Sequence, residues 1–242
     1  MAKPKVFLSA GHGGSDPGAV GNGLLEKVVN LNALLACREE LIRHGVEVVC
    51  SRITDANDPV QEEVTEANAS GADLAFSIHA NAGGGDGFEA LYYTTNEDAK
   101  RLAALCEKHV KALGQNSRGL KSGNHLYFVK RTNMTAVLVE SFFLDNAKDK
   151  EIGDTYDEQR AFGVAYAKAI LEYYDIKYVS KEAQTVVTPM EELTSANDIT
   201  WELNNSYFPI TKTENFVKEL DKAKKQNSPL YWGYYKLVNK IK

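Results

Sequence analysis

The chain has 242 residues, of which 43 % are hydrophobic, 10 % aromatic and 25 % charged, enough apolar material to bury a core and unlike disordered, collagen-like or disulfide-stapled miniprotein chains. Lys plus Arg number 28 against 33 Asp plus Glu, a net charge of −5. That balance lacks the positive surplus that phosphate neutralisation needs and argues against nucleic acid as a partner.

Residues 5 to 9, Lys-Val-Phe-Leu-Ser, predict a short strand that stops at Gly11-His12-Gly13-Gly14. The apolar run there is too short for a signal-peptide core, so the expectation is a protein made in the cytoplasm that acts after release. Val28, Leu31, Leu34, Leu35, Leu41 and Ile42 recur at helical spacing between Leu25 and Arg43, and His44-Gly45 supplies a stop. Residues 46–50 predict a strand, 62–69 a helix and 74–79 a buried strand. The cluster Gly83-Gly84-Gly85-Asp86-Gly87 lacks the Lys-Ser/Thr of a phosphate loop and reads as a flexible connection. Residues 88–93 predict a strand, 97–113 an amphipathic helix, 126–129 a short strand, 136–139 a buried strand and 158–174 a closing helix.

Strands alternating with helices in this way predict an α/β fold, a central mostly parallel or mixed sheet flanked by helices. No apolar run approaches the roughly 20 residues of a spanning helix, so no integral membrane segment is expected. Cys37, Cys50 and Cys106 share no metal or redox spacing and read as buried apolar thiols. After Lys177 the texture changes. Residues 178–242 hold nine of the 23 aromatics, both tryptophans (Trp201 and Trp232), and nine basic against eight acidic residues, or +1, which leaves −6 upstream. Two domains are expected: residues 1–177, and a small helical C-terminal domain over 178–242, where Phe216, Leu220 and Ala223 follow helical spacing.

His12 and His79 each follow an apolar strand, where an α/β sheet presents its ligands. Glu26 opens the long helix, and Glu140 ends a buried strand, where an isolated carboxylate is costly unless paired or solvated. Two imidazoles and one carboxylate form a common catalytic zinc set, leaving a second glutamate as base. Each residue taken singly is more commonly a solvated or capping group. His44 suits a helix end, His109 a solvated helix face, and His125 a strand entrance near the site.

Gly11-His12-Gly13-Gly14-Ser15-Asp16-Pro17-Gly18-Ala19-Val20-Gly21, then Glu26 with Asn30 and Leu31, Ala67-Asn68, Gly71-Ala72-Asp73, Ser77-Ile78-His79-Ala80-Asn81, Arg118-Gly119-Leu120-Lys121 and Val137-Leu138-Val139-Glu140 resemble, in order and spacing, the zinc-dependent N-acetylmuramoyl-L-alanine amidases. The resemblance covers residues 5 to about 174. It implies that His12, Glu26 and His79 bind Zn2+, that Glu140 is the catalytic carboxylate, and that the substrate is bacterial peptidoglycan, cut between N-acetylmuramic acid and L-alanine. Asn30, four residues after Glu26, is placed to orient that carboxylate, or is a plain surface residue. Glu62, Glu63 and Glu66 stand where the family often has an arginine, and Thr135 replaces a frequent proline. These departures touch the helix contacts and the groove rather than the ligands.

The expected role is that of a phage or prophage endolysin, with a secreted or sporulation-type autolysin as the alternative. A zinc carboxypeptidase-like peptidase fits less well, because its ligands start from a local His-x-x-Glu, and a non-catalytic wall-binding protein fits less well because all four residues are present. Residues 178–242 lie outside the resemblance and are expected either to bind wall or to extend the first domain.

Overall fold

The first apolar run forms β1 (Lys5–Ala10) in the computed structural model, which describes residues 3–180. Two short strands, β2 (Val20–Gly21) and β3 (Leu24–Leu25), pair as a hairpin and lead into α1 (Glu26–Arg43). β4 (Glu47–Cys50), α2 (Val60–Ala69), β5 (Leu74–Asn81) and β6 (Phe88–Tyr92) follow. α3 (Glu97–Lys111) starts at Asn96, whose side chain accepts the Ala99 N–H, and carries acids in its first turn and bases in its last. β7 (Ser117–Ser122), α4 (Tyr127–Arg131), β8 (Thr135–Phe143), α5 (Ala147–Gly153) and α6 (Tyr156–Tyr173) complete the order, α6 opening with a Thr155/Glu158 capping box.

One six-stranded sheet runs β4-β1-β5-β8-β6-β7. The first four strands are parallel, β6 is antiparallel to β8, and β7 is parallel to β6. The carboxyl ends of β1, β5 and β8 therefore share an edge with the amino ends of β6 and β7. Side chains alternate between the faces. One face, with Val6, Leu8, Phe76, Ile78, Val137, Val139 and Phe88, is buried with α1, α3 and α6 in the larger core. There Tyr166 is fully buried and donates its hydroxyl to Ser141 Oγ at 2.8 Å. α1 and α6 approach closely at Gly163, where a Cβ would lie 2.0 Å from the Ala33 carbonyl oxygen.

The other face carries a smaller core, in which Phe7, Ala75 and Ala136 meet Val64 and Ala67 of α2 and Phe128 of α4. Two short helices reach only part of it. The row farther along, His79, Glu140 and Glu89 on β5, β8 and β6, remains partly exposed.

Several expectations need correction. Residues 126–129 do not form a strand; Tyr127–Arg131 are helix α4, whose Phe128 and Val129 are buried. So short an apolar run fits either period. The edge strand is instead Ser117–Ser122, whose polar sequence hid it, because an edge strand has little to bury. The glycine cluster is held rather than free: Gly83 and Gly84 donate to Asp145 Oδ2 at 2.9 Å, and Gly87 donates to Asp149 Oδ2 at 2.8 Å. His109 is half-buried and bonds Glu172 at 2.7 Å rather than lying on a solvated face. Cys37 and Cys106 are buried free thiols and Cys50 is partly buried. Among the described residues no helix is long and apolar enough to cross a membrane. The compact unit closes at Val179, and the C-terminal domain expected over 178–242 lies, from residue 181 on, outside the described residues.

Candidate metal centre

The loop after β1 turns back on itself at His12, a non-glycine residue with φ of 66°. Its ring is held at both nitrogens: Nδ1 lies 2.8 Å from Asp16 Oδ2 and Nε2 lies 3.2 Å from Glu26 Oε2. Asp16 also accepts the Gly18 N–H at 2.9 Å, so one carboxylate fixes both the ring and the loop. Glu26, only 4 % exposed at the start of α1, accepts the Ala19 N–H at 2.8 Å through Oε2. Its Oε1 lies 2.9 Å from His79 Nδ1 and accepts from Asn30 Nδ2 at 3.3 Å. Asn30 is fully buried and donates as well to the Gly11 carbonyl at 3.0 Å, so it is no surface residue.

Donor atoms of His12, Glu26 and His79 all lie within 4.8 Å of one another. Glycine is required around them. A Cβ at Gly11 would lie 2.0 Å from the His79 ring, and one at Gly18 would lie 2.6 Å from Glu26 Oε2. Arg52, itself 5 % exposed, braces the loop from behind by donating to the carbonyls of Ala10 at 2.9 Å and Lys27 at 2.8 Å. Lys27 ties in the next turn through the Gly14 carbonyl and Asp55, each at 2.7 Å.

Charge follows this geometry. Burial works against the Glu26 carboxylate, yet the bonds from His12 and His79 outweigh it and hold its pKa far below the ordinary range. The same Glu26 bond, opposed by burial and reinforced by Asp16, raises His12 to about 9. His79 is also raised, the carboxylates of Glu26 and Glu140 overcoming its burial. Two imidazoles thus lean on one carboxylate, an arrangement that a divalent cation can complete, since its ligands are two nitrogens and an oxygen.

Glu140 faces His79 across β5 and β8. Its Oε2 is buried without a hydrogen-bond partner, and burial raises its pKa to about 7. The sheet thus brings together His12, Glu26, Asn30, His79 and Glu140. It leaves out His125: because β6 and β7 run against β8, Tyr92 and Ser122 align with Val137 at the far end of the sheet, and His125 follows there. His44 ends α1 as expected, with Nδ1 2.7 Å from the Glu40 carbonyl.

Asp16 and Arg52 went unassigned in the sequence. Only the spacing of Asp16, four residues after His12 in one loop, could have signalled it. Glu63, on α2, is 3 % exposed and accepts from Ser9 Oγ at 2.8 Å, and burial, assisted by Asp58, pushes it up to about 7.

The fold and this donor set define an α/β protein with a cation-ready centre at the carboxyl edge of its sheet and an unpartnered carboxylate beside it. More particularly, the chain belongs to the N-acetylmuramoyl-L-alanine amidase family Amidase_3, which matches residues 6–172. The amidase CwlM of Bacillus licheniformis is 39 % identical over 156 residues, 61 % of this chain and 59 % of CwlM. The chain therefore spans less than two thirds of that relative. The endolysin of Bacillus phage SPP1 is 34 % identical over 183 residues, 71 % of this chain and 66 % of the endolysin. Among solved structures, the catalytic domain of the amidase CwlV from Paenibacillus polymyxa superposes with a TM-score of 0.67 at 33 % identity, covering 72 % of this chain and 99 % of that domain.

Proposed function

We propose that this chain hydrolyses the amide between N-acetylmuramic acid and the L-alanine of the stem peptide in bacterial peptidoglycan, with His12, Glu26 and His79 holding Zn2+ and Glu140 moving the proton. The observation that carries this reading is one juxtaposition: a three-donor cluster within 4.8 Å and, on the neighbouring strand, a glutamate with a buried oxygen that nothing satisfies. Bound there, zinc supplies Lewis acidity toward the amide carbonyl and the attacking water.

The chain's own residues do the rest. Asp16 fixes the His12 tautomer so that Nε2 faces the centre, and Asn30 and the Ala19 N–H hold the Glu26 carboxylate in one orientation. A pKa near 7 lets Glu140 accept a proton from water at neutral pH and return it to the departing alanine nitrogen. Mass spectrometry of digested peptidoglycan tests the reaction. New peptides with free N-terminal L-alanine are expected; glycan fragments with intact stem peptides would refute it.

We further propose a lytic role, in which the protein is made in the cytoplasm and reaches the wall once the membrane is breached. Similarity to the SPP1 endolysin over 71 % of the chain supports it. Residues 178–242, aromatic-rich and at +1 against −6 for the rest, are the proposed wall anchor. Expression with and without a pore-forming protein tests the role: lysis without the pore would favour a remodelling autolysin. Loss of sedimentation with purified walls when the chain is cut after Val179 is expected of an anchor.

A further inference from the structure

The row of side chains that begins with His79 and Glu140 continues past the centre. Glu89 on β6 lies opposite Glu140, and on edge strand β7 the register slips between the pairs Phe88/Ser117 and Ala90/Leu120, leaving Arg118 and Gly119 beside Glu89. Gly119, with φ of 85°, takes the strain of that bulge. Arg118 is thereby turned onto the site's face, where Nε donates to Glu89 Oε1 at 2.5 Å and the guanidinium lies 5.2 Å from the centroid of the Phe143 ring. Lys121 Nζ stands 3.6 Å from the same Glu89 oxygen.

This pair of cations is more than a counter-charge for Glu89. Among the described residues the Arg118 guanidinium makes a single hydrogen bond, through Nε; Nη1 stands 3.9 Å from the exposed Asp86, beyond hydrogen-bond distance. The side chains of Arg118 and Lys121 are 38 % and 42 % exposed, whereas that of Glu89 is 12 % exposed. A fork anchored at Nε and backed by a ring is preorganised, so little rotamer freedom is lost when its outward N–H groups meet a carboxylate.

We propose that Arg118, with Lys121 beside it, anchors the free α-carboxylate on the second residue of the stem peptide and so determines which peptides the site accepts. The proposal rests on the amidase reading. Two strand spacings separate β7 from β8, about 10 Å, and an extended peptide covers about 3.3–3.6 Å per residue. That backbone distance is about three extended residues, and because the Arg118 side chain reaches back to Glu89 on β6 the peptide has less to cover, so the γ-linked glutamate at position two carries the first free carboxylate on that path. The glycan strand has no carboxylate of its own once its lactyl group is in amide linkage. Charge complementarity therefore assigns the cationic end of the row to the peptide.

Two muramoyl tripeptides that differ only in a free or an amidated α-carboxylate at residue two provide the test, with the zinc-loaded full chain. The wild type is expected to show a KM about 10- to 100-fold lower for the free acid. In Arg118→Gln the ratio of the two KM values should fall toward 1, Arg118→Lys should keep part of it, and Lys121→Gln should lower it less. Calorimetry of the free and amidated peptides on Glu140→Gln protein should give the same ranking without turnover. Equal KM values in the wild type overturn the anchor, as does a ratio that survives in Arg118→Gln while kcat falls, the mark of a residue that only supports Glu89. Release of no alanine terminus from either compound overturns the amidase reading and the anchor with it.

Discussion

The two faces of the sheet are covered to different depths. On one, α1, α3 and α6 bury Phe76, Ile78, Val139 and Tyr166 completely, and the buried hydroxyls of Tyr166 and Ser141 bond each other. On the other, α2 and α4 bury Phe7 and Ala75 but leave the row of His79, Glu140 and Glu89 partly open. Polar groups on the first face serve the fold. On the second, Glu140 carries a buried oxygen with no hydrogen-bond partner and a pKa raised to about 7, the kind of group around which chemistry concentrates. If this division is right, substitutions on the open face should cost activity with little stability, and those on the closed face the reverse.

The largest effects should come from the open row. His79→Ala is expected to lose both bound metal and turnover. Glu140→Gln should keep the metal, measured by elemental analysis, yet lower kcat by about 10²- to 10⁴-fold, with a melting temperature no lower than wild type because a buried unpartnered carboxylate is gone. On the closed face, Gly163→Ala should destabilise by about 3 kcal/mol, since its new Cβ would meet the Ala33 carbonyl of the neighbouring helix. Chemical denaturation should register that loss, and metal affinity of the folded fraction should not move.

Glu63 cuts across the division, being a carboxyl buried under α2. Its folded pKa of about 7 lies above the unfolded carboxylate value, so the folded state holds the proton more tightly. Its contribution is fully present below about pH 4.5 and is lost as the pH rises through 7. Glu63→Gln keeps an acceptor for Ser9 and should remove a penalty on the order of 2–3 kcal/mol at pH 8, while changing little at pH 4. Equal melting shifts at the two pH values would show that folding does not raise the Glu63 pKa.

The smallest effect tests the loop. Asp16→Asn should weaken metal binding by about 10- to 100-fold and leave the fold intact. His12, raised to about 9, holds a proton that a metal must displace, and His79 is shifted in the same direction, so wild-type affinity should rise with pH, by about tenfold per unit for each proton released, up to the His12 value near 9. A competition titration against a chromophoric chelator at pH 6, 7 and 8 measures both.

Much of this was legible in the sequence, for identifiable reasons. Apolar runs such as Leu74–His79 and the spacing of Val28, Leu31 and Leu35 are local patterns that set strand or helix wherever the segment lies. Because those strands are buried and parallel, His12, His79 and Glu140 at their ends had to meet on one edge. Glu26 was legible as the first residue of a long helix, and Asn30 as its neighbour one turn on. Where sequence failed, the deciding contacts were remote. Tyr127–Arg131 became a helix because Phe128 found the patch formed by Phe7 and Ala75, and Ser117–Ser122 became a strand only by pairing with β6.

Sequence alone thus determined the element types of the central strands and long helices, and which residue types stand at their ends, because hydrophobic period and glycine punctuation are written within a few neighbouring residues. Tertiary structure alone decided the direction of β6 and β7. Nothing local in these two strands encodes their direction, since neither is the continuous apolar run of a buried parallel strand and each presents the same alternation of side chains whichever way it pairs. That one choice sends His125 to the far edge and brings Arg118 to the site, and it leaves Glu140 facing both a histidine and a second carboxylate.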